Sequence, residues 1–237
     1  MISAERPVDS SAAPEPALPP TSAPGLPMPR FTLDQAQRAG DAWGFNCGPA
    51  SVAVILGLTP EEIRPHFGDF ERKHYTNPSL MWEALRNLKA RWTCTVNQRG
   101  TERQWMCAWP TYGLARVQWE GPWTAPGVPM AARYRHTHWV ASCKPHSGEH
   151  FIFDINCMCA GGWVSLSEWN GSVVPWLLGE CEPKASGKWH LTHAVEIKGA
   201  PVYSDLWDPH GDVERDMAGI DPDEGLPMAR GIRRSAV

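Results

Sequence analysis

WGFNCGPASVAVILG, residues 43–57, sets a cysteine between an asparagine and a Gly-Pro pair just where an apolar run begins. Pro49 suits the first turn of a helix, where its missing N–H would have had no partner. Gly57 suits the stop, because it enters the left-handed region without a Cβ penalty. The spacing predicts a helix over 48–57, with Cys47 at or beside its N-cap. The free N–H groups of such a terminus, and the dipole behind them, favour negative charge. A thiolate there is stabilised, and the thiol pKa falls. The same N–H groups can face a developing oxyanion. Cys47 is therefore a candidate nucleophile, with Gly48 leaving room for a substrate. The competing reading is a small apolar cysteine packed in the core.

Outward from that helix, Thr59 to Glu62 (TPEE) is a capping box that opens a short helix to about residue 67. Asn77-Pro78 opens another, with Leu80, Met81, Ala84, Leu85 and Leu88 at spacings of three and four. Beyond Lys89 the apolar period becomes two. Strands are predicted over 91–96, 113–119, 138–143, 150–155 and 188–197. Between the last two, residues 167–178 (SEWNGSVVPWLL) read as a helix weakened by Gly171 and Pro175. Helices first, then a mostly antiparallel sheet, is an α+β order.

A nucleophilic cysteine needs a base, and the base needs an orienting partner. Residues 136–156, HTHWVASCKPHSGEHFIFDIN, read as a hairpin whose loop holds Pro145, Ser147 and Gly148. A turn centred on His146 places His138 opposite Asp154, and one centred on Ser147 places it opposite Asn156. In either register a histidine meets an acid or amide on one face of the sheet. That partner would hold one ring nitrogen and leave the other for the thiol. His136 shares the face and competes as base. His138 is preferred because the apolar strand begins directly after it.

Asn46-Cys47-Gly48-Pro49-Ala50 and the segments His138-Trp139-Val140 and Phe153-Asp154 resemble the papain-like cysteine peptidase superfamily, nearest to the group that cleaves bacteriocin leader peptides. NCGPASVAVILGLTPEEI followed by TNPSLMWEALRNL is also similar to uncharacterised phage-encoded proteins. The resemblance implies a papain-like α+β fold and a thiol-dependent hydrolase. Cys47 would be the nucleophile, His138 the base and Asp154 the orienting acid. The substrate would be a peptide or protein, with Trp43, Gly48 and Trp139 as contacts to it. The family usually places a glutamine six residues before the cysteine as an oxyanion donor; here that position is Asp41, and Gln35 and Gln37 lie at other spacings. Either Asn46 or the Trp43 N–H replaces that donor, or the donor is missing. In the second case the chain is a defective relative that binds peptides or serves as a phage accessory or structural protein.

Composition sets outer limits. Residues 1–30 carry eight prolines and no apolar period, and read as a flexible arm. Residues 31–198 are enough for one peptidase-like domain, and 199–237 form a weakly patterned tail. The net charge of −4 with mixed signs offers no basic stripe, so nucleic acid is not an expected partner. No apolar run reaches the roughly 18 residues of a membrane helix, and no secretory signal is legible. The default location is cytoplasmic, that of a bacterial host if the chain is phage-encoded. Seven cysteines at scattered spacings suggest no disulfide framework. Cys157 and Cys159 with Cys143, Cys181, His150 and His193 lack paired zinc-knuckle spacing. His136 and His138 lack a third ligand. No metal or cofactor is expected. The tryptophan-rich stretch 105–123 is either an aromatic wall for extended substrate or simple packing.

Overall fold

A computed structural model describes residues 25–96, 107–133, 136–145 and 148–199. The sequence-predicted arm therefore lies outside the described residues except at 25–30, and the tail lies outside them beyond Gly199. Residues 25–30 are held to the domain rather than loose. The carbonyl of the buried Pro27 accepts from the Trp163 indole at 2.7 Å, and Arg30 donates to the Gly57 carbonyl at 2.8 Å.

The helices come first. α1 (Leu33–Trp43) starts at a Thr32–Gln35 capping box. α2 (Cys47–Leu56) ends at Gly57, whose φ of 62° is left-handed and whose N–H reaches the carbonyls of Ala53 and Val54. Gly48 to Ile55 are all buried. A helix apolar on every side belongs at the centre of a domain, and α2 is there. α3 (Pro60–Ile63) runs into a 3₁₀ turn at Arg64–His66. α4 (Phe70–Lys73) and α5 (Pro78–Asn87) complete the layer, the latter capped by Asn77.

Among the described residues, six strands form one antiparallel sheet. They are β1 (Arg91–Val96), β2 (Tyr112–Trp119), β3 (Thr137–Cys143), β4 (Phe151–Phe153), β5 (Trp163–Ser165) and β6 (Trp189–Lys198). Their spatial order is β1-β6-β2-β3-β4-β5. The fold is α+β, with α1 to α5 packed on one face through Leu114, Trp139, Ala141, Phe153, Val195 and Ile197. The alternate residues Ala115, Val117, Val140, Ile152 and Ala194 face a second core, rich in tryptophan. α6 (Met130–Arg133) lies in the β2–β3 connection. A second helical run covers the second core. It comprises α7 (Leu166–Glu168), a π-turn at Trp169–Val173 and α8 (Val174–Gly179).

The hairpin takes the second of the two registers, since Ala141 pairs with Phe153 and Cys143 with Phe151. β4 is shorter than the sequence pattern predicts. Asp154 leaves the ladder to cap a 3₁₀ helix at Ile155–Ala160, its carboxylate accepting from the Asn156 N–H. The strand period continues in the sequence, but a side-chain cap competes with the ladder at this position and wins.

Candidate active site

The shortness of β4 makes the site. Beyond Ala141, β3 loses its neighbour on that side, and the start of α2 takes its place. The Trp139 N–H donates to the Cys47 sulfur. The Ser51 hydroxyl proton is shared between the carbonyls of Cys47 at 2.7 Å and Trp139 at 3.2 Å. A helix terminus thus satisfies backbone groups that a strand satisfies elsewhere, as buried peptide groups require.

Asn46 caps α2, its Oδ1 accepting from the Gly48 N–H at 3.3 Å. Its Nδ2 donates to the His74 carbonyl at 3.2 Å. Ala50 N–H bonds the Asn46 carbonyl, and Pro49 has no donor. The Cys47 N–H is the first-turn donor that neither the cap nor the helix takes up.

Cys47, His138 and Asp154 converge. His138 is 7% exposed and Asp154 fully buried. His138 Nε2 lies 2.9 Å from Asp154 Oδ2. The His138 ring lies within hydrogen-bonding reach of the Cys47 sulfur. With Nε2 held by the acid, the nitrogen left for the sulfur is Nδ1. Asp154 accepts further from the Trp169 indole at 3.0 Å on Oδ2, and on Oδ1 from Asn156 N–H at 3.0 Å and Asn156 Nδ2 at 2.8 Å. The Trp119 ring lies nearly parallel to the His138 ring, 6.1 Å between centroids.

The electrostatics follow from these contacts. Burial works against a thiolate at Cys47, but the His138 charge, its hydrogen bond and the Trp139 N–H together pull the thiol below its usual value, the Asp154 charge opposing them. Burial likewise opposes the imidazolium, yet Asp154 and Cys47 hold His138 well above the ordinary imidazole value. Burial would raise Asp154; the His138 charge and hydrogen bond, with the bonds from Trp169 and Asn156, bring it down to about 2 instead. Burial pushes Cys94, Cys143 and Cys157 up to about 12. A thiolate is thus favoured at Cys47 and suppressed at those three.

Several sequence-predicted contacts are corrected. Trp43 and Trp139 are 5% and 2% exposed. Trp43 packs against Phe45 and Phe70, and the Trp139 indole donates to the Thr76 carbonyl, so neither lines a surface for substrate. Gly48 is small for a different reason from the one expected. A Cβ there would collide with the Thr76 hydroxyl, so the residue admits a neighbouring loop. Asn46 gives its Oδ1 to the Gly48 N–H and one of its two Nδ2 hydrogens to the His74 carbonyl. Asp41 is exposed on α1. Asn156 supports Asp154 and does not bond His138. His136 packs on the Trp123 ring, with centroids 4.0 Å apart. Trp109 and Trp119, from the tryptophan-rich stretch, pack against Trp169; residues 105 and 106 of that stretch lie outside the described residues.

Trp169 and Ser51 were not legible as site residues. Trp169 belongs to no motif and Ser51 sits in the helix pattern without a role of its own; Asp154 and Trp139, their partners, lie 15 and 88 positions away in the chain. Among the described residues, no group of three or more His, Cys, Asp or Glu is placed to hold a metal ion, and no helix is long and apolar enough to cross a membrane. All seven cysteines are free thiols. No protein-family model, curated protein or solved structure matches the chain.

Proposed function

We propose that the chain is a papain-like thiol hydrolase acting on a peptide or isopeptide bond. The observation that carries this reading is the hydrogen-bonded series Cys47–His138–Asp154 at the mouth of a helix. In the resting site the sulfur is a thiolate and His138 an imidazolium. The sulfur attacks the substrate carbonyl carbon, and the developing oxyanion accepts from the Cys47 N–H. The C–N bond breaks as imidazolium Nδ1 gives its proton to the leaving amine. Neutral His138 then takes a proton from water, the hydroxide adds to the thioester, and the acid departs as the thiolate returns. An amine in place of water would give transfer instead of hydrolysis by the same steps.

The test is turnover of a peptide library, read together with covalent capture by an acyl-type activity probe. Wild-type protein is expected to cleave and to be labelled at Cys47, and Cys47→Ala to do neither while keeping its fold. Cleavage unchanged in Cys47→Ala contradicts the reading.

A second reading is favoured by the oxyanion side of the site. Asp41 is exposed on α1, and the Asn46 amide is already drawn to the Gly48 N–H and the His74 carbonyl. Loss of one oxyanion donor costs about 2.7–4 kcal/mol in the transition state. On this reading the chain is a peptide-binding phage accessory or structural protein, and turns peptides over slowly or not at all. Retained peptide affinity without acyl transfer from any library member would support it over hydrolysis.

A further inference from the structure

Trp169 sits in an irregular part of the helical run over the second core. Pro175 has no N–H to give to the Gly171 carbonyl, and in a regular helix its ring would clash there. The chain takes a π-turn instead, with the Val174 N–H reaching the Trp169 carbonyl five residues back. The buried positions show the same step. Trp169, Val174 and Leu178 are buried, at spacings of five and then four, while Asn170, Gly171 and Ser172 between them are exposed. In an uninterrupted α-helix, Asn170 or Gly171 would lie nearly in line with Val174, and Trp169 would be turned about 140° away. Single π-turns of this kind recur at functional sites.

The turn brings the indole N–H onto Asp154 Oδ2, the same oxygen that faces His138 Nε2. Asn156 fills Oδ1 with two donors. The four donors match the roughly four lone-pair sites of a carboxylate, so the group is saturated as an anion. Trp169 is itself fully buried and braced by Trp109, Trp119 and Trp189.

We propose that Trp169 is a positioning residue: from the π-turn it fixes the Asp154 carboxylate, and through it the imidazolium partner of Cys47. This rests on the reading of Cys47 as a nucleophile. The titratable groups around the pair are Cys47 from α2, and Asp154 and Cys157 from the β4 exit. Glu168, from α7, bears on Cys157, whose thiol stays neutral. Asp154 is ionised throughout the neutral range, so imidazolium loss is the step that Trp169 controls there.

Alkylation of Cys47 by iodoacetate reads that step without needing a substrate. The reagent is an anion, and its rate falls when the imidazolium loses its proton. Wild-type protein is expected to give a bell-shaped profile. In Trp169→Phe the alkaline limb should move lower by up to about one pH unit, because a carboxylate no longer held against His138 Nε2 stabilises the imidazolium less. Asn156→Ala, at an exposed position, should move it the same way by less. Trp189→Phe thins the same aromatic cluster without touching Asp154, and its limb should coincide with wild type. Coincident limbs in all the variants overturn the proposal. So does a limb that moves as far in Trp189→Phe as in Trp169→Phe. If Trp169→Phe does not fold, indole NMR of wild-type protein decides: the Trp169 N–H signal must shift as the imidazolium titrates, and an insensitive signal overturns the role. A wild-type Cys47 no more reactive than the other thiols defeats the nucleophile reading itself, before any variant is made.

Discussion

The two halves of β3 are satisfied by different means. From Ala141 to Cys143 the strand has β4 beside it, and the result is ordinary sheet. At His138 and Trp139 the neighbour is the start of α2, and the result is a thiol, an imidazole and a carboxylate in series. Sequence period does not distinguish the halves, because both alternate. What separates them is Asp154, which leaves the ladder to cap a 3₁₀ helix and opens a gap one helix end wide. A strand edge left open within a domain can admit a helix terminus, bringing its dipole and N–H groups against a side chain of that strand.

The largest expected effect falls on the chemical half. In His138→Ala, Cys47 loses the cation that favours its thiolate. Its alkylation near neutral pH should fall on the order of tenfold or more, toward the few per cent ionisation of a free thiol. Mass spectrometry of each labelled cysteine checks this, with Cys94, Cys143 and Cys157 as slow internal references.

Removing the acid tests the same half through stability. Asp154→Ala leaves the donors of His138, Trp169 and Asn156 facing a cavity, and should cost about 3–5 kcal/mol in urea unfolding. The pH dependence has a definite sign. The Asp154 carboxyl lies lower folded, at about 2, than its ordinary value of about 3.9. Its contribution is full above the ordinary value and lost as pH falls through the folded one. His138 works the other way, contributing fully below about 6.5 and losing that as pH rises through its raised folded value. An acid limb of unfolding unchanged in Asp154→Ala would break the assignment.

Smaller effects probe how α2 replaces the missing strand. Gly48→Ala forces a methyl into the Thr76 hydroxyl, and overpacking of this kind costs about 1–3 kcal/mol. Ser51→Ala removes the hydroxyl shared by Cys47 and Trp139 and should cost about 0.5–1.5 kcal/mol. A full strand-like contact predicts that both variants also slow alkylation of Cys47, and a purely helical contact predicts lost stability alone. The smallest effect belongs to Asp41→Gln. It restores the residue type that the family resemblance places there, but on an exposed face of α1. Stability should change by no more than about 0.5 kcal/mol, and turnover should not rise.

Much of the helical half was legible from punctuation. Pro49 and Gly57 mark the two ends of α2, with the cap itself at Asn46, and Thr59 and Asn77 mark the next starts. α1 escaped, although its Thr32–Gln35 capping box is a readable start signal, because the buried stripe of LDQAQRAGDAW is Ala36, Ala39 and Trp43, with only one large apolar residue. The strands were legible by period, with β5 too short at three residues to carry one. The hairpin left two registers, and only the turn geometry separates them. Burial was least legible. Trp139 directly follows His138 yet points into the core, because successive strand residues face opposite ways; Trp43 closes α1 and packs on Phe45 and Phe70. Trp169 was invisible as a site residue because its direction depends on a π-turn, and a period-based reading assumes none.

The proposed chemistry depends on the charge state of one sulfur. The direct measurement is the rate of iodoacetamide alkylation at Cys47 from acid to alkaline pH, in wild-type protein and in His138→Ala. Wild-type labelling is expected to rise at distinctly lower pH than that of the variant, which moves to the range of a free thiol, about 8.5. Two superimposable curves, both rising only near that ordinary thiol range, would contradict that chemistry.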